Sequence, residues 1–388
     1  MKILIAGPVL TSAIAEATGI DLSGLPPATA QTPIAPLTAA FLASGHEVHV
    51  VTLDPTIDEV QSYRRDGLLI TFCPLRGAPR FKARHRMKDL FAVEIDHLTR
   101  VMTQSGADIV HAHWTYEHAE AALRSGKPYL VTMHDLGWDY LFQFRDAYRL
   151  MRLAMKYRVM VRVRNLTVVG KFMIAKAWQY GFRGRVDLVP NPISFASWGA
   201  KLTDAPVFVA VGNSNPIKNI SSAIDAFAIL RAAFPAAELH LFGPGLDESY
   251  SATYGLKGLV AHGNVEHCEL MRFLAERATV LIHPSRLETF GVIIAEAKMR
   301  GVPAVAGVNA GGTQDAIGDF GSLCDIENPA LIARAVHEII ADKAHYSALQ
   351  KSSHEDVKRR FSPTAVAESY IEIYKRILKS NSILVESS

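Results

Sequence analysis

The sequence predicts an α/β protein made of two doubly wound domains, each a parallel sheet with helices on both faces. Three observations support this fold class. The chain has 388 residues, more than one ordinary hydrophobic core holds. Short apolar segments of strand length alternate with amphipathic segments of helix length, as in parallel sheets that are covered on both faces. The alternation restarts after residues 189–206, a stretch rich in Pro, Ser and Gly that is typical of a linker.

The first half begins with a strand over residues 2–7, followed after a long gap by a helix over 36–45 that ends at Gly45. A second helix is predicted around 89–104. The connection between the first strand and the first helix, residues 8–32, is unusually long for a connection without structure. Such connections are often functional. An acceptor-binding segment and a surface loop are both open interpretations. Further strands are predicted over 46–53, 68–75, 107–114, 128–135 and 165–170.

The second half repeats the pattern with predicted strands over 207–213, 238–245, 279–285 and 303–309 and predicted helices over 219–234, 269–278, 291–301 and 329–342. We therefore predict an N-terminal domain over 1–195 and a C-terminal domain over 196–364. Parallel sheets of this kind bind ligands at the carboxyl ends of their strands, so two facing domains would place the site in a central cleft between them.

Composition limits the class of protein. Hydrophobic residues make up 49% and charged residues 20%, as in soluble globular enzymes, and no apolar run is long enough to span a bilayer. The first residues are better explained as a strand than as a signal peptide. Cys73, Cys268 and Cys324 lie far apart, which disfavours disulfides and zinc and fits the reducing cytosol. A net charge of +3 is too small to indicate nucleic acid binding.

Two basic stretches stand out in the first half, residues 76–88 and 149–164. Each has six Lys or Arg and no acidic residue. A solvated basic face explains either stretch alone. Together, and interleaved with apolar side chains, they also suit an anionic membrane surface or a phosphorylated acceptor, which would place the protein at the inner face of the membrane.

Two glutamates in the segment 283–306 are the main candidates for chemistry. Glu288 follows a predicted strand at its carboxyl end, where ligands bind. Glu296 lies eight residues later, in an otherwise apolar helix, where it would accept hydrogen bonds from ribose hydroxyls or simply form a salt bridge on the surface. Between them, the N–H groups of Phe290, Gly291 and Val292 open the helix and would attract phosphate.

This spacing argues against a glycoside hydrolase. Eight helical residues separate the two carboxylates by roughly 12 Å, whereas hydrolase pairs need about 5–9.5 Å. The two acids are better explained as binding different parts of one long ligand.

The segment 283–312 resembles the signature of retaining glycosyltransferases of the GT-B fold, most closely family 4. The shared pattern is Pro-Ser, then Glu, seven residues, a second Glu, Gly-x-Pro-Val and a Gly-Gly turn. Further segments resemble the same family in order and spacing, so the similarity spans nearly the whole chain: residues 110–114, 130–135, 188–193, 209–230, 262–285 and 361–378.

The resemblance implies a role for each matching residue in donor binding. Glu288 would contact hydroxyls of the transferred sugar and stabilise the site facing the anomeric carbon, and Glu296 would hold the nucleotide ribose. Lys218, after the strand that ends at Gly212, would neutralise the diphosphate together with the amides of 290–292. Val265 would lie near the base.

The resemblance also implies roles in the first domain. His134 would touch the sugar from the opposite domain, and Gly7 would pass close to the donor or acceptor. The final amphipathic helix, with Val366, Tyr370, Ile373 and Ile377 on one stripe, would cross back to the first domain as part of a segment over 365–388.

Several residues depart from the family pattern, and one of these departures bears directly on the diphosphate site. Asn213 stands where the family usually has Arg, which removes one cation from the diphosphate site. Lys218 would then supply more of the charge that stabilises the leaving group, or a basic residue would come from elsewhere.

The resemblance implies a hexosyltransferase that moves a sugar from a nucleotide sugar, such as a UDP- or GDP-sugar, to a hydroxyl of a sugar or lipid-linked acceptor in surface polysaccharide or glycolipid assembly.

No metal-binding DxD motif matches the family position, so no metal cofactor is expected. His111 and His113 share one strand face, but no third ligand is identifiable nearby. Open alternatives are another GT-B enzyme, such as an epimerase or a synthase of a soluble glucoside, and a degenerate binding protein without catalysis.

Overall fold

The computed structural model describes residues 1–28, 33–77, 85–199 and 202–386, and the chain divides into two compact units. Unit 1 contains residues 1–192 together with the chain from 363 onward, and unit 2 contains residues 193–362. Each unit is a mainly parallel sheet covered by helices, which confirms the predicted fold class.

Unit 1 is built on an eight-stranded sheet in the order β3-β4-β2-β1-β5-β6-β7-β8. All neighbours pair in parallel except β3 and β4, which form an antiparallel edge pair. The strands span Lys2–Ala6 (β1), Glu47–Asp54 (β2), Gln61–Arg65 (β3), Leu68–Pro74 (β4), Ile109–His113 (β5), Tyr129–Met133 (β6), Leu166–Val168 (β7) and Val186–Leu188 (β8).

The helices of unit 1 span Thr11–Thr18, Ile34–Ala43, Ala92–Gln104, Glu117–Arg124, Gly137–Phe144, Ala147–Met160, Phe172–Gln179 and Pro363–Glu386. The connection after β1, residues 8–32, was expected to lack regular structure, and that expectation is wrong for residues 11–18. Thr11–Thr18 is helical and ends at Gly19, whose φ of 72° closes the helix. Residues 29–32 of that connection lie outside the described residues.

The last helix, Pro363–Glu386, packs on the N-terminal part of unit 1. It contacts the helix Ile34–Ala43, and its stripe of buried side chains joins the core that covers β1, β2 and β4. Tyr374 also bonds through its hydroxyl to Nδ1 of His111, at 2.7 Å. Burial of these side chains on one stripe follows directly from the amphipathic pattern of the sequence.

Unit 2 is built on a six-stranded parallel sheet in the order β11-β10-β9-β12-β13-β14. The strands span Val207–Val211 (β9), Glu238–Phe242 (β10), Leu259–Ala261 (β11), Val280–His283 (β12), Ala304–Gly307 (β13) and Ser322–Cys324 (β14). The helices span Ile220–Ala233, Glu248–Ala252, His267–Glu276, Val292–Met299, Thr313–Ile317, Pro329–Ile340 and Lys343–Phe361. One apolar core covers each face of the sheet.

The segment 189–206 contains neither helix nor strand in its described residues, 189–199 and 202–206, in keeping with the predicted linker. Within unit 2, it is held to the end of the helix Lys343–Phe361 by a hydrogen bond of 2.7 Å from Ile193 N to Phe361 O. Among the helices that the structure describes, none is both long and apolar enough to cross a membrane.

Candidate active site

A tight loop after β9 positions Lys218. The side-chain oxygen of Asn213 accepts a hydrogen bond from Asn215 N at 3.1 Å, and the side-chain oxygen of Asn215 accepts one from Ile217 N at 3.0 Å. Lys218 N then donates to Asn215 O at 2.9 Å. These local bonds are the turns that Asn residues favour. Asn213 therefore shapes the loop with its carbonyl oxygen, where an Arg would offer only donors.

Glycines let this loop lie close to the end of β9. A Cβ on Gly212 would lie 3.0 Å from Lys218 Cβ, and a Cβ on Gly243, at the end of β10, would lie 1.8 Å from Gly212 O. No side chain fits at position 243, because real Cβ contacts do not come below about 3 Å. The approach of the two strand ends sets the position of the Lys218 loop.

The loop after β12 carries Glu288, and backbone hydrogen bonds join this loop to the turn that contains Gly311 and Gly312. Glu288 N donates to Ala310 O at 3.0 Å, and Gly312 N donates to Glu288 O at 2.8 Å. A Cβ on Gly312 would lie 2.4 Å from Thr289 O, so this contact requires glycine. Arg286 N donates to Ile217 O at 2.8 Å and joins this loop to the Lys218 loop.

The Glu288 carboxylate receives two donors on one oxygen. Lys218 Nζ lies 2.5 Å from Oε1, and His283 Nε2 lies 3.1 Å from the same atom. Burial alone would raise the pKa of Glu288, but the hydrogen bond from His283 and the charge of Lys218 outweigh it and lower the pKa to about 2. The carboxylate is therefore ionised, and no described residue binds its second oxygen.

His283 is a site residue that the sequence did not indicate. It is the last residue of β12, it is 1% exposed, and its Nδ1 is buried without a hydrogen-bond partner in the described chain. From sequence alone, a histidine at the end of an apolar strand is indistinguishable from one that merely packs in the core. Its imidazole orients Glu288, because the two groups share a hydrogen bond.

The helix Val292–Met299 begins beside Glu288. Gly291 precedes it with a φ of 87°, a conformation that glycine adopts without strain. The N–H groups of Phe290, Gly291 and Val292 donate to no other described residue, so they are available to an anion. Because Lys218 contacts Glu288, it lies close to this helix N-terminus, which the sequence analysis predicts as a phosphate site.

Glu296 lies one turn into the same helix. Its Oε1 bonds to His267 Nε2 at 2.8 Å, and its side chain is 16% exposed. Val265 is partly buried two residues before His267 and packs on the core beneath this helix. The structure therefore brings Glu296 and Val265 together on one side of unit 2 and adds His267, which the sequence analysis missed.

In unit 1, Gly7, His113 and His134 gather at the carboxyl ends of β1, β5 and β6. A Cβ on Gly7 would lie 3.1 Å from His113 Cβ and 2.6 Å from a side-chain atom of Ile34. His113 Nδ1 lies 2.8 Å from His134 Nε2. Burial lowers the pKa of His134 to about 3, so its imidazole is neutral at physiological pH.

Comparison with known proteins identifies the family. Residues 196–356 match the family model described as "Glycosyl transferases group 1", and residues 33–196 match "Glycosyltransferase Family 4". Together the two matches run through both units.

The chain belongs to the group 1 family of glycosyltransferases.

Two relatives show the breadth of the family. This glycosyltransferase is 23% identical over 287 residues to an uncharacterized glycosyltransferase of Bacillus subtilis (strain 168), YqgM, covering 71% of this chain and 80% of that one. It is 28% identical over 176 residues to LpsE of Rhizobium meliloti (strain 1021), a lipopolysaccharide core biosynthesis glycosyltransferase, covering 44% of this chain and 50% of the relative.

Solved structures share the GT-B fold. Sucrose-phosphate synthase from Thermosynechococcus elongatus superposes with a TM-score of 0.73 at 19% identity and covers 98% of this chain and 100% of that one. HepE of Anabaena, in complex with UDP and glucose, gives a TM-score of 0.65 at 15% identity and covers 97% and 100%.

His111 and His113 form hydrogen bonds with other side chains of unit 1. His111 Nε2 bonds to Thr132 Oγ1 at 2.7 Å, while its Nδ1 bonds to Tyr374. His113 bonds to His134. In the described part of the glycosyltransferase, no group of three or more His, Cys, Asp or Glu residues is arranged to hold a metal ion.

Several cations of the two basic stretches pair with acids of unit 1. In 76–88, Arg76 bonds to Asp89 and to the buried Glu94, while residues 78–84 lie outside the described residues. The stretch 149–164 lies largely on the helix Ala147–Met160. Its cations pair as Arg149–Asp146, Arg152–Glu117, Lys156–Asp135, Arg158–Glu120 and Arg162–Glu120. Five of the six cations of this stretch therefore lie beside a carboxylate, and Arg158 and Arg162 share Glu120.

Proposed function

We propose that this glycosyltransferase is a retaining, metal-independent hexosyltransferase that moves a sugar from a nucleotide sugar to a hydroxyl acceptor. The observation that supports it is the geometry of unit 2. An ammonium group, an ionised carboxylate and a helix N-terminus lie side by side at the carboxyl ends of β9 and β12. The residues around Glu288 follow the signature of a retaining family, which supports retention of the anomeric configuration.

The chemistry to be performed is cleavage of the bond between C1 and the diphosphate. Negative charge grows on the diphosphate as the bond breaks. Lys218 and the amides of 290–292 supply fixed positive potential for that charge, and this fixed potential stabilises the leaving group without a metal ion. We therefore propose that no metal or other cofactor is required.

Glu288 has a complementary role on the sugar side. Its Oε1 is engaged by Lys218 and His283, so its second oxygen is free to accept hydrogen bonds from hydroxyls of the transferred sugar. The ionised carboxylate also favours the positive charge that develops on the ring. Glu296, steadied by His267, would accept the ribose hydroxyls, with Val265 near the base.

A UDP-sugar is the first candidate donor, because the structural neighbour HepE was solved with UDP and with UDP-glucose. The relative LpsE acts in lipopolysaccharide core biosynthesis. We propose that the acceptor here is likewise a saccharide or lipid-linked saccharide of surface polysaccharide or glycolipid assembly.

Acceptor-dependent turnover tests this function. Thermal-shift measurements with UDP-, GDP- and ADP-sugars will identify the donor, and release of nucleoside diphosphate will then be followed with and without saccharide acceptors. We expect release that depends on the acceptor and persists with EDTA. Sugar isomerisation without an acceptor would indicate an epimerase, and binding without turnover across the panel would indicate a binding protein.

We also propose that the enzyme acts at the cytosolic face of the membrane as a peripheral protein. Exposed apolar side chains lie in the part of unit 1 that carries the stretch 149–164: Phe142 is 66% exposed, Leu150 58%, Val161 61% and Trp178 54%. Apolar side chains beside arginines suit the interface of an anionic bilayer.

Sedimentation with liposomes measures this association. We expect binding to vesicles that contain anionic lipid, a loss of binding as salt is raised, and weaker binding when Phe142 and Leu150 are both replaced by Ser. Absence of binding at low salt would remove the membrane proposal and leave the transfer reaction unaffected.

A further inference from the structure

Unit 1 contains an aromatic pocket to which the preceding sections assign no ligand. The cavity has a volume of about 290 Å³. Its aromatic walls are Trp114, Tyr116, Tyr140, Phe144 and Tyr148. It lies where β5 and β6 end, the edge at which doubly wound sheets bind ligands.

Trp114 is held in the pocket wall by an unusual backbone. Its φ of 66° lies in the left-handed region, which a bulky side chain rarely adopts. Its N–H donates to Thr132 O at 2.9 Å, and its indole packs on the ring of His134 with centroids 4.5 Å apart. Such strain persists where the surrounding structure fixes a residue for function.

The polar groups of the aromatic pocket are already matched in charge. Asp135 pairs with the fully buried Lys156 at 2.6 Å and accepts a hydrogen bond from the Tyr116 hydroxyl. Arg152 pairs with Glu117 and lies 3.6 Å above the Tyr116 ring. Arg149 pairs with Asp146 at 2.7 Å. A phosphate or carboxylate ligand would therefore have to compete with these carboxylates for the cations of the pocket.

A sugar ring suits the chemistry of these walls. The faces of aromatic rings suit the C–H faces of a pyranose, and the paired Asp135 and Arg149 offer an acceptor and donors to its hydroxyls. The volume is near the lower end of the roughly 300–1,000 Å³ that is typical of small-molecule sites, which suits a single ring.

We propose that the aromatic pocket binds one uncharged pyranose ring of the acceptor, packed against its aromatic walls. The inference rests on the proposed function in calling the ligand an acceptor. It favours a neutral acceptor over the phosphorylated acceptor that the two basic stretches had suggested, because the cations of the pocket already face carboxylates.

The test uses two phenylalanines of one helix as matched variants. Phe144 lines the pocket and Phe142 does not, while both are exposed on Gly137–Phe144. Binding of methyl glycosides of glucose, galactose, mannose and N-acetylglucosamine to the full chain will be measured by saturation-transfer NMR, alongside glucose 6-phosphate.

We expect at least one neutral glycoside to bind, Phe144→Ala to weaken it about tenfold or more, and Phe142→Ala to change it less than twofold. The thermal shift given by UDP should be unchanged in both variants. Stronger binding of glucose 6-phosphate than of every glycoside, no glycoside binding at all, or equal loss in the two variants would overturn the proposal. Because these are binding measurements, they remain decisive even if no transfer activity is found.

Discussion

Replacement of Glu288 by Gln will lower kcat for sugar transfer by on the order of 10²–10³, the range seen when one preorganised electrostatic group is lost. Gln keeps the size of the side chain but removes the charge that faces the sugar and pairs with Lys218. Glu288→Ala, which also removes the hydrogen-bond acceptors, should nearly abolish transfer. The measurement is the rate of acceptor-dependent release of nucleoside diphosphate, with the melting temperature confirming the fold.

His283 supplies the control for this prediction, because its side chain forms a hydrogen bond with Glu288. Its hydrogen bond contributes to the low pKa of Glu288, about 2, against an ordinary value of 4.5. The carboxylate is therefore ionised above about pH 2, and the pairing is lost only as the pH falls through that value. In His283→Phe the pKa of Glu288 should rise, so the acid limb of the pH–rate profile should move to higher pH.

His283→Gln should behave closer to the wild type, because its amide can still donate to the Glu288 carboxylate. An unchanged acid limb in His283→Phe, with full kcat, would show that the contact is only structural. A loss of kcat in Glu288→Gln of less than about threefold would remove Glu288 from the catalytic role.

The sequence predicted the repeating fold because its signal is local. An apolar strand or an amphipathic helix can be recognised from about ten to fifteen consecutive residues. The two rounds of alternation between them were therefore enough to predict two parallel sheets. The edge strand Gln61–Arg65 was missed, since it is polar and largely exposed. The helix Lys343–Phe361 was missed because its charged residues surround the axis and leave little apolar periodicity.

The residues of the candidate site also differ in whether the sequence predicts them. Lys218, Glu288 and Glu296 lie in segments that resemble a family signature, and the structure places Lys218 on Glu288. His283 and His267 became visible only as partners of those carboxylates. The pairing of the basic stretch was equally hidden, because Glu117 and Glu120 lie on another helix, some thirty to forty residues before the arginines that they bind.

Replacement of Lys218 by Met will lower kcat/KM by about 10²–10³, equivalent to about 2.7–4 kcal/mol of transition-state stabilisation, and will weaken the binding of UDP. Met keeps most of the apolar length of the side chain and removes the charge. Lys351→Met is the matched control, because Lys351 is an exposed lysine on the helix Lys343–Phe361 of the same unit. Steady-state kinetics and calorimetric titration with UDP measure the two effects.

Asn213 explains why a large effect is expected from one lysine. The family pattern usually places an Arg there, whereas the neutral Asn213 uses its side-chain oxygen to close the turn that carries Lys218. The charge at this strand end therefore depends on Lys218, with the amides of 290–292 as its complement. Lys218→Arg should retain part of the activity, since it keeps the charge but changes the geometry of the donors. Wild-type kinetics and UDP affinity in Lys218→Met would show that the leaving group is stabilised by other residues.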